Sequence, residues 1–379
     1  MVDHFIFYMD RFTEMDSMMG KLNLCEKSAI SLTPVEKEYI LHLDIQQSSQ
    51  ATGSDNPLLA SSSSNYSIRL FSMSNMATLK QINAHDNVIS GIKFSQTENH
   101  LLFSSSWDKS IRCWDTRTDT KKPVQEFSGS DKNLLCLDIN SSDSKLAAGT
   151  EASDINEVDL FIWDRRKSSV LVKYTDSHQD DITQVSFNPQ KENILASGST
   201  DGLVCEFDLT QPTEDEALFL TLNSRSSVAY VGWCEPKYNH IYCTTHIDTF
   251  HVWEAEEGDA IFQVTDLKEK LNDKIEYIVN YIGSTDSDDW LILGGTHKGD
   301  LSILQLSSKD EVKTLSTLTG GHKATVRCLM WDAHSNSLVT GGEDSMMCLW
   351  SNKPGSAPNE PKIANKLKMK KGTRKVQPY

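Results

Sequence analysis

Hydrophobic and polar positions repeat along residues 39 to 351 with a period of about 45 residues. Each repeat has an alternating apolar stretch, a short stretch that ends in small residues, a tight polar turn, and an alternating stretch closed by an aromatic residue. This alternation predicts antiparallel β-strands. The clearest copies are LLFSSSWDKSIRCWD at 101–115, ILASGSTDGLVCEFD at 194–208 and SLVTGGEDSMMCLWS at 337–351. Weaker copies at 39–71, 134–164, 227–254 and 275–306 bring the total to seven.

Sheets of so few strands cannot bury both faces alone, so neighbouring sheets must cover one another. A histidine precedes each clear copy and completes the pattern HxxxV...LxSxSxDxxIxxWD. This pattern resembles that of the WD-repeat β-propellers over about five sixths of the chain. The resemblance implies an all-β fold, a seven-bladed WD40 β-propeller of four-stranded antiparallel blades, with no catalytic function.

The resemblance also implies a structural set in each complete blade: a His before the first strand, a Ser or Thr in the second, an Asp in the following turn and a Trp in the third. The residues that match this set are His85, Ser104, Asp108 and Trp114; His322, Thr340, Asp344 and Trp350; and His178, Ser197 and Asp201, with Phe207 in place of Trp. We expect each set to form a hydrogen-bonded relay.

A serine, a histidine and an aspartate could instead form a nucleophilic triad. Repetition argues against this, because a catalytic set is needed once and this trio recurs in three blades. The sequence also has no P-loop, GxSxG, GxGxxG after a strand, or HExxH motif. We therefore predict a protein without enzymatic activity, cofactor, metal or small-molecule substrate.

The ends of the chain lie outside the repeats. Residues 1–20 hold five of the eleven methionines without alternation, which indicates a disordered extension or an upstream start. Alternation resumes in KLNLCEKSAISL at 21–32, which we expect to supply the missing fourth strand of the last blade and close a propeller of residues 21–351. Residues 352–379 have too few apolar residues to fold and predict a disordered basic tail.

Charge is divided unevenly between the body and this tail. The net charge is −16 and the tail carries +7, which leaves −23 on residues 1–351. An acidic body repels nucleic acids and attracts basic proteins. No stretch approaches the ~20 apolar residues that a membrane span needs. The eight cysteines lack metal-site spacing, so we predict that they are reduced thiols in a nuclear or cytoplasmic protein.

The basic run of the tail predicts nuclear or nucleolar localisation, with a solubilising or RNA-attracting role as the alternatives. Its residues are Lys366, Lys368, Lys370, Lys371, Arg374 and Lys375.

Trp107 stands in a turn where most copies have a small or polar residue. Such an aromatic residue either packs on a neighbouring blade or is an exposed anchor for a partner. In WD-repeat propellers this position lies at the mouth of the central channel, on the face where partners bind. By the same pattern, that face includes Asn87, Asp180, Asp181, Thr325 and Glu343.

A WDxR pattern follows the third strand in two adjacent blades, as Asp115 with Arg117 and Asp164 with Arg166. It resembles the motif with which WD-repeat substrate receptors dock on the adaptor of cullin-type ubiquitin ligases. The simpler interpretation is a local ion pair that closes a turn. The hypotheses are therefore a protein-interaction scaffold for basic partners in the nucleus, a ubiquitin-ligase substrate receptor, and a ribosome-assembly factor.

Overall fold

Seven four-stranded antiparallel sheets form the described part of the chain. The computed structural model describes residues 19–31, 37–46, 57–154, 157–272, 274–285, 289–307 and 311–352. The strands of blades 1 to 4 follow one another in the chain. They are β2 (Ile40–Ile45), β3 (Leu58–Ser63), β4 (Ser67–Ser72) and β5 (Thr78–Asn83); β6 (Ile89–Phe94), β7 (Leu101–Ser106), β8 (Ile111–Asp115) and β9 (Gln125–Phe127); β10 (Asp138–Ile139), β11 (Lys145–Gly149), β12 (Leu160–Asp164) and β13 (Ser169–Tyr174); β14 (Ile182–Phe187), β15 (Ile194–Ser199), β16 (Leu203–Asp208) and β17 (Leu218–Asn223).

Blades 5 and 6 have the same consecutive order, whereas blade 7 takes its outer strand from the start of the chain. These strands are β18 (Val228–Trp233), β19 (His240–Thr245), β20 (Phe250–Glu254) and β21 (Ala260–Val264); β22 (Tyr277–Ser284), β23 (Trp290–Gly295), β24 (Leu301–Leu306) and β25 (Val312–Leu318); β26 (Val326–Asp332), β27 (Ser337–Gly342), β28 (Met346–Ser351) and β1 (Asn23–Ala29). The predicted seven-bladed all-β fold is confirmed.

The first strand of each blade lies near the propeller axis, since β2 contacts both β6 and β26 of its neighbouring blades. The second and third strands are covered on both faces, because adjacent blades stack on them. Their small residues permit this close approach: a side chain at Gly149 would place a Cβ 2.3 Å from Ile182 of the next blade. The recurring Ser, Ala and Gly of the second strand are therefore packing residues.

Both ends of the described chain meet in blade 7. Strand β1 pairs with β28, with Asn23 opposite Ser351 and Ala29 opposite Met346. Met19, placed by the sequence prediction in the N-terminal extension, is buried with Leu22 in the core between blades 6 and 7. The packed region therefore begins at least two residues earlier than predicted, because these apolar side chains cover the end of the sheet. The rest of both predicted extensions, 1–18 and 353–379, lies outside the described residues.

The fourth strands are the exposed outer edges, as in β5, where only one of six residues is buried. Two four-residue helices, α1 (Glu214–Ala217) and α2 (Leu267–Lys270), lie in connections between strands. No described helix is long and apolar enough to cross a membrane. Helical structure is thus a minor part of the described chain.

Candidate functional site

The predicted residues of blade 2 form a continuous chain of hydrogen bonds. His85 Nδ1 lies 2.8 Å from the carboxylate of Asp108, and His85 Nε2 lies 2.7 Å from the hydroxyl of Ser104. Trp114 Nε1 donates to the same hydroxyl at 2.9 Å. Ser104 and Trp114 are buried, so the relay connects the turn at Asp108 to the core of the blade.

Blades 4 and 7 repeat this geometry. His178 lies 3.0 Å from Asp201 and 2.7 Å from Ser197, and His322 lies 3.2 Å from Asp344 and 2.8 Å from Thr340. The blade 7 relay also ends on an indole, since Trp350 donates to Thr340 at 2.9 Å. Blade 4 lacks that last bond because Phe207 has no polar atom.

These relays hold charge at buried positions. Burial alone would raise the pKa of Asp108, but the hydrogen bond and charge of His85, the hydroxyl of Ser110 and the charge of Arg112 together hold the pKa well below the usual range. Burial also opposes the charges of Asp201 and Asp344, but His178 and His322, together with backbone N–H donors, lower the pKa values of both carboxyl groups. Burial likewise opposes a charge on His178, yet its interactions with Asp201 and Cys205 together raise its pKa to about 9. Each His–Asp pair is therefore held as a structural unit.

The blades without a complete set use other polar contacts. In blade 1, Arg69 is buried and binds Glu38 at 2.8 Å and the hydroxyl of Ser63 at 3.1 Å. In blade 5, His251 lies 2.8 Å from Thr249. The sequence pattern missed these contacts because the partners do not occupy the positions of the repeat motif.

The turns between the second and third strands lie at one edge of the propeller, which we call the rim. In six blades, the backbone N–H of a residue in this turn donates to a backbone carbonyl in the segment just before the first strand. These pairs are Ser64 with Tyr39, Trp107 with Val88, Glu151 with Asn133, Thr200 with Asp181, His246 with Ser227, and Glu343 with Thr325. The predicted partner-face residues Trp107, Asp181, Thr325 and Glu343 therefore share this edge, and Asn87 and Asp180 adjoin it in sequence.

Trp107 is 40% exposed, so the structure places its side chain at the surface instead of in a blade core. Its turn is held by a 2.9 Å hydrogen bond to Val88 and by the relay of the following residue, Asp108. Two further aromatic residues are exposed on the rim of the adjacent blade 1, Tyr39 and Tyr66. The Tyr66 carbonyl accepts the backbone N–H of His85, and the His85 ring is hydrogen-bonded to Asp108, so His85 links the turns of blades 1 and 2. We call Tyr39, Tyr66 and Trp107 the aromatic rim patch.

The sequence prediction missed two residues of the aromatic rim patch, although an aromatic residue in the turn of blade 1 was a visible signal. Tyr66 adopts a left-handed backbone conformation, with φ of 65°. Another exposed apolar residue, Ile247, lies in the corresponding turn of blade 5.

The predicted acidic residues of the rim are not equivalent. Glu343 is held in an ion pair with Arg327, whose Nε donates to it at 2.7 Å. Asp181 accepts the backbone N–H of Ala152 at 2.7 Å and so joins blades 3 and 4. Asp180 is exposed, as is Asp86, whose backbone N–H donates to Asp108 at 3.3 Å. The acidic surface therefore rests on Asp86, Asp180 and Asp181 more than on Glu343.

The remaining predicted rim residues make local contacts. Asn87 accepts the N–H of Val88 at 2.8 Å, and Thr325 lies 3.1 Å from His297 Nδ1 of blade 6. Both side chains are half-buried. They shape the turns of the rim and contribute no charge.

The two WDxR patterns close turns at the opposite edge. Arg117 binds both oxygens of Asp115, at 3.0 and 2.7 Å, and Arg166 lies 3.7 Å from Asp164. The two arginine side chains are 65% and 80% exposed. Local ion pairing thus accounts for the pattern, and docking on a ligase adaptor stays a prediction.

One group of carboxylates, Glu254, Glu257 and Asp259, brings its oxygens within 4.8 Å of one another among the described residues. These side chains are exposed or half-exposed, and such groups are common on acidic surfaces without a metal. They give no support for a metal site.

Seven four-stranded blades with repeated His–Asp–Ser/Thr relays define a WD40-type β-propeller, a class of typically non-catalytic scaffolds for protein interactions. The family model described as WD domain, G-beta repeat, matches residues 76–115, 169–208 and 312–351. The chain is 31% identical to an uncharacterized WD repeat-containing protein of Saccharomyces cerevisiae, over 77% of this chain and 75% of that protein. The chain belongs to the WD-repeat family.

Two further relatives also match most of the chain. The chain is 28% identical to the WD repeat-containing protein 89 homolog of Dictyostelium discoideum, over 96% of this chain and 99% of that protein. It is 29% identical to the WD repeat-containing protein GTS1 of Arabidopsis thaliana, over 77% of each. None of these names states an enzymatic activity.

Proposed function

We propose that the protein is a non-catalytic scaffold that binds a basic segment of a partner protein at the aromatic rim patch. The observation that carries this proposal is the exposure of Trp107 on a turn that both a backbone hydrogen bond and a buried relay hold in place. A rigid, exposed aromatic residue is the typical anchor of a protein interface. Its ring also offers a face to Lys or Arg, and the exposed residue Asp86 donates its backbone N–H to Asp108, which follows Trp107.

The Ser and Thr residues of the repeated relays are buried, which supports a scaffold without catalytic activity. Ser104, Ser197 and Thr340, which would be the nucleophiles, are fully buried and already hydrogen-bonded to histidine. A hydroxyl that no substrate can reach cannot attack one. The relays therefore fit a structural role.

Replacing Trp107 with Ala tests the proposal. We expect the tagged full-length variant to lose affinity for the partner proteins that co-purify with the wild type, by about 2 kcal/mol or more, because an interface anchor is removed. Quantitative mass spectrometry of the captured proteins gives the candidates, and titration of each purified candidate gives the affinity. The melting temperature should change little, since the side chain is not in the core.

Leu79→Ala is the matched control, because Leu79 is also exposed but lies on the outer strand β5, away from the rim. It should bind partners as the wild type does. Charge reversal at Asp86 and Asp180 should slow association and weaken its dependence on salt. Unchanged binding by the Trp107 variant, or its unfolding, would show that the partner face lies elsewhere.

From the sequence alone, we also propose that the basic run of the tail directs the protein to the nucleus. Five residues of the run are to be changed to Ala together: Lys368, Lys370, Lys371, Arg374 and Lys375. A fluorescent fusion of this variant should shift toward the cytoplasm, because import signals of this kind are recognised by their charge. Changing the four lysines to Arg keeps the charge and should leave the distribution as it is. A distribution that neither variant alters would leave the tail only a solubilising role.

A further inference from the structure

A cleft of about 340 Å³ opens between blades 4 and 5, at the edge opposite the rim. The hairpins that join the first and second strands of both blades line it, together with the turn that follows β20. It therefore shares no residue with the aromatic rim patch. Its walls include the aromatic residues Trp233, Phe219 and Tyr238, and the buried residue Glu206 also lines it.

Glu206 occupies a position that is apolar in the other six blades. It pairs with Ala196 across the blade, and the corresponding residues of the other third strands are Leu70, Cys113, Ile162, Val252, Ile303 and Leu349. Within β16, Cys205 and Phe207 pack in the core shared with blade 3, whereas Val204 packs in the core shared with blade 5. Side chains alternate between the two faces of β16, so Glu206 lies on the same face as Val204 and is directed toward blade 5.

The carboxyl group of Glu206 has no hydrogen-bond partner, although the residue is only 1% exposed. Both oxygens are buried without a donor, which is costly for a charged or polar group. Nearly all buried polar groups in native proteins have a partner, so such an exception points to a ligand. Because Glu206 also lines the cleft, the cleft is the side from which a donor can approach its carboxyl group.

The surroundings of Glu206 favour a cation. Trp233 donates its indole N–H to Ser186 at 3.1 Å, which fixes its ring as one wall, and Phe219 is 43% exposed. The charged lining residues besides Glu206 are the acidic Asp208, Glu216 and Glu256 and the basic Lys191. Lys191 is held in an ion pair with Glu256, so the lining is acidic overall.

We propose that this cleft is a second binding site, which takes the guanidinium group of an arginine from a partner protein. Two unsatisfied oxygens on one carboxyl group match the paired donors of a guanidinium, and a planar cation stacks on aromatic walls. A lysine ammonium would present a single point of charge and leave one oxygen without an equivalent donor. The site is independent of the rim and does not depend on the function proposed for it.

Proton release should accompany binding. Burial raises the pKa of Glu206 to about 8, an effect that the nearby Lys191 opposes and Glu256 reinforces. Asp208, Glu216 and Tyr238 complete the titratable groups that line the cleft. The empty site therefore holds a proton at neutral pH, which an arginine must displace. Affinity should rise about tenfold per pH unit up to roughly pH 8 and level off above it.

Isothermal titration of the full-length protein with three capped peptides tests the site. The peptides share the sequence Gly-Gly-X-Gly-Gly, with arginine, lysine or citrulline at X. We expect saturable binding of the arginine peptide, weaker binding of the lysine peptide, and none of the neutral citrulline peptide. Repeating the titration at several pH values measures the linked proton.

Glu206→Gln should weaken binding of the arginine peptide at least tenfold and remove its pH dependence, because it keeps the shape but loses the charge. Glu257→Gln is the control, since Glu257 is an exposed acid near the cleft that does not line it. It and Trp107→Ala should bind the peptide normally, which separates this site from the rim. Equal binding of arginine and citrulline, equal binding of arginine and lysine, or unchanged binding by Glu206→Gln would overturn the proposal.

Stability gives a second readout. Glu206→Leu restores the apolar residue found in the other blades and should raise the melting temperature while it abolishes peptide binding. A lower melting temperature would mean that Glu206 serves the fold, and would contradict the assignment of a ligand site.

Discussion

Deletion of residues 1–32 is expected to destabilise the propeller by on the order of 5 kcal/mol, because Met19, Leu22 and Ile30 are buried and each contributes about 2 kcal/mol. The deletion also removes β1 and leaves the edge of β28 unpaired. Exposed strand edges pair with other chains. We therefore expect a melting temperature at least roughly 10 °C lower, together with aggregation seen by light scattering.

Deletion of residues 1–18 is the matched control and should melt as the full chain does, since the described packing begins at Met19. A synthetic peptide of residues 19–32, added in excess to the longer deletion, should restore much of the melting temperature by binding β28. Equal melting temperatures for the two deletions would contradict the role of β1 in closing the ring.

Closure of the ring could be predicted because its signal is local. KLNLCEKSAISL alternates as a strand should, and the last repeat lacks a fourth strand. The whole fold follows from the same kind of information, since each repeat carries its own strands and turns. Only the start of packing was misplaced, because Met19 and Leu22 stand outside any regular pattern and are fixed by contacts with blades 6 and 7.

The weaker blades show where sequence reasoning failed. Arg69 and Glu38 form an ion pair between different elements of blade 1. Nothing in the repeat motif places these two side chains together, because the pairing depends on the path of the chain before β2. In the same way, the pairing of Arg327 with Glu343 depends on strand register, so the acidic rim was overestimated.

The sequence alone predicts more about the site at Trp107 than about the cleft at Glu206. The sequence left open whether Trp107 packs on a neighbouring blade or is an exposed anchor; its side chain is 40% exposed in the structure, and its role as an anchor stays a prediction. Glu206 stands in the segment TDGLVCEFD, but its significance appears only when the third strands of the seven blades are aligned. It is then the one acidic residue at a position that is apolar in the other six blades. Its lack of a partner could be found only from the structure.

The relay of blade 2 connects the stability of the fold with the rim. Asp108 accepts hydrogen bonds from His85 at 2.8 Å and from the hydroxyl of Ser110 at 2.6 Å, and it directly follows Trp107. Replacing Asp108 with Ala should cost about 3 kcal/mol, because the buried His85 ring and the Ser110 hydroxyl lose their acceptor. The melting temperature should fall by several degrees, and partner binding at the aromatic rim patch should weaken because the turn loosens.

Asp108→Asn separates charge from shape, since it keeps an acceptor oxygen, and should cost less than Asp108→Ala. Asp119→Ala is the control: Asp119 and its partner Lys121 are both largely exposed, and the loss should stay below about 1 kcal/mol. Because the folded pKa of Asp108 is lowered, its contribution is complete above the unfolded value of roughly 4 and disappears only as the pH falls below it. Calorimetry of the four proteins from neutral to acidic pH measures this, and coincident melting of the Asp108→Ala and Asp119→Ala variants would show that the relay does not hold the turn.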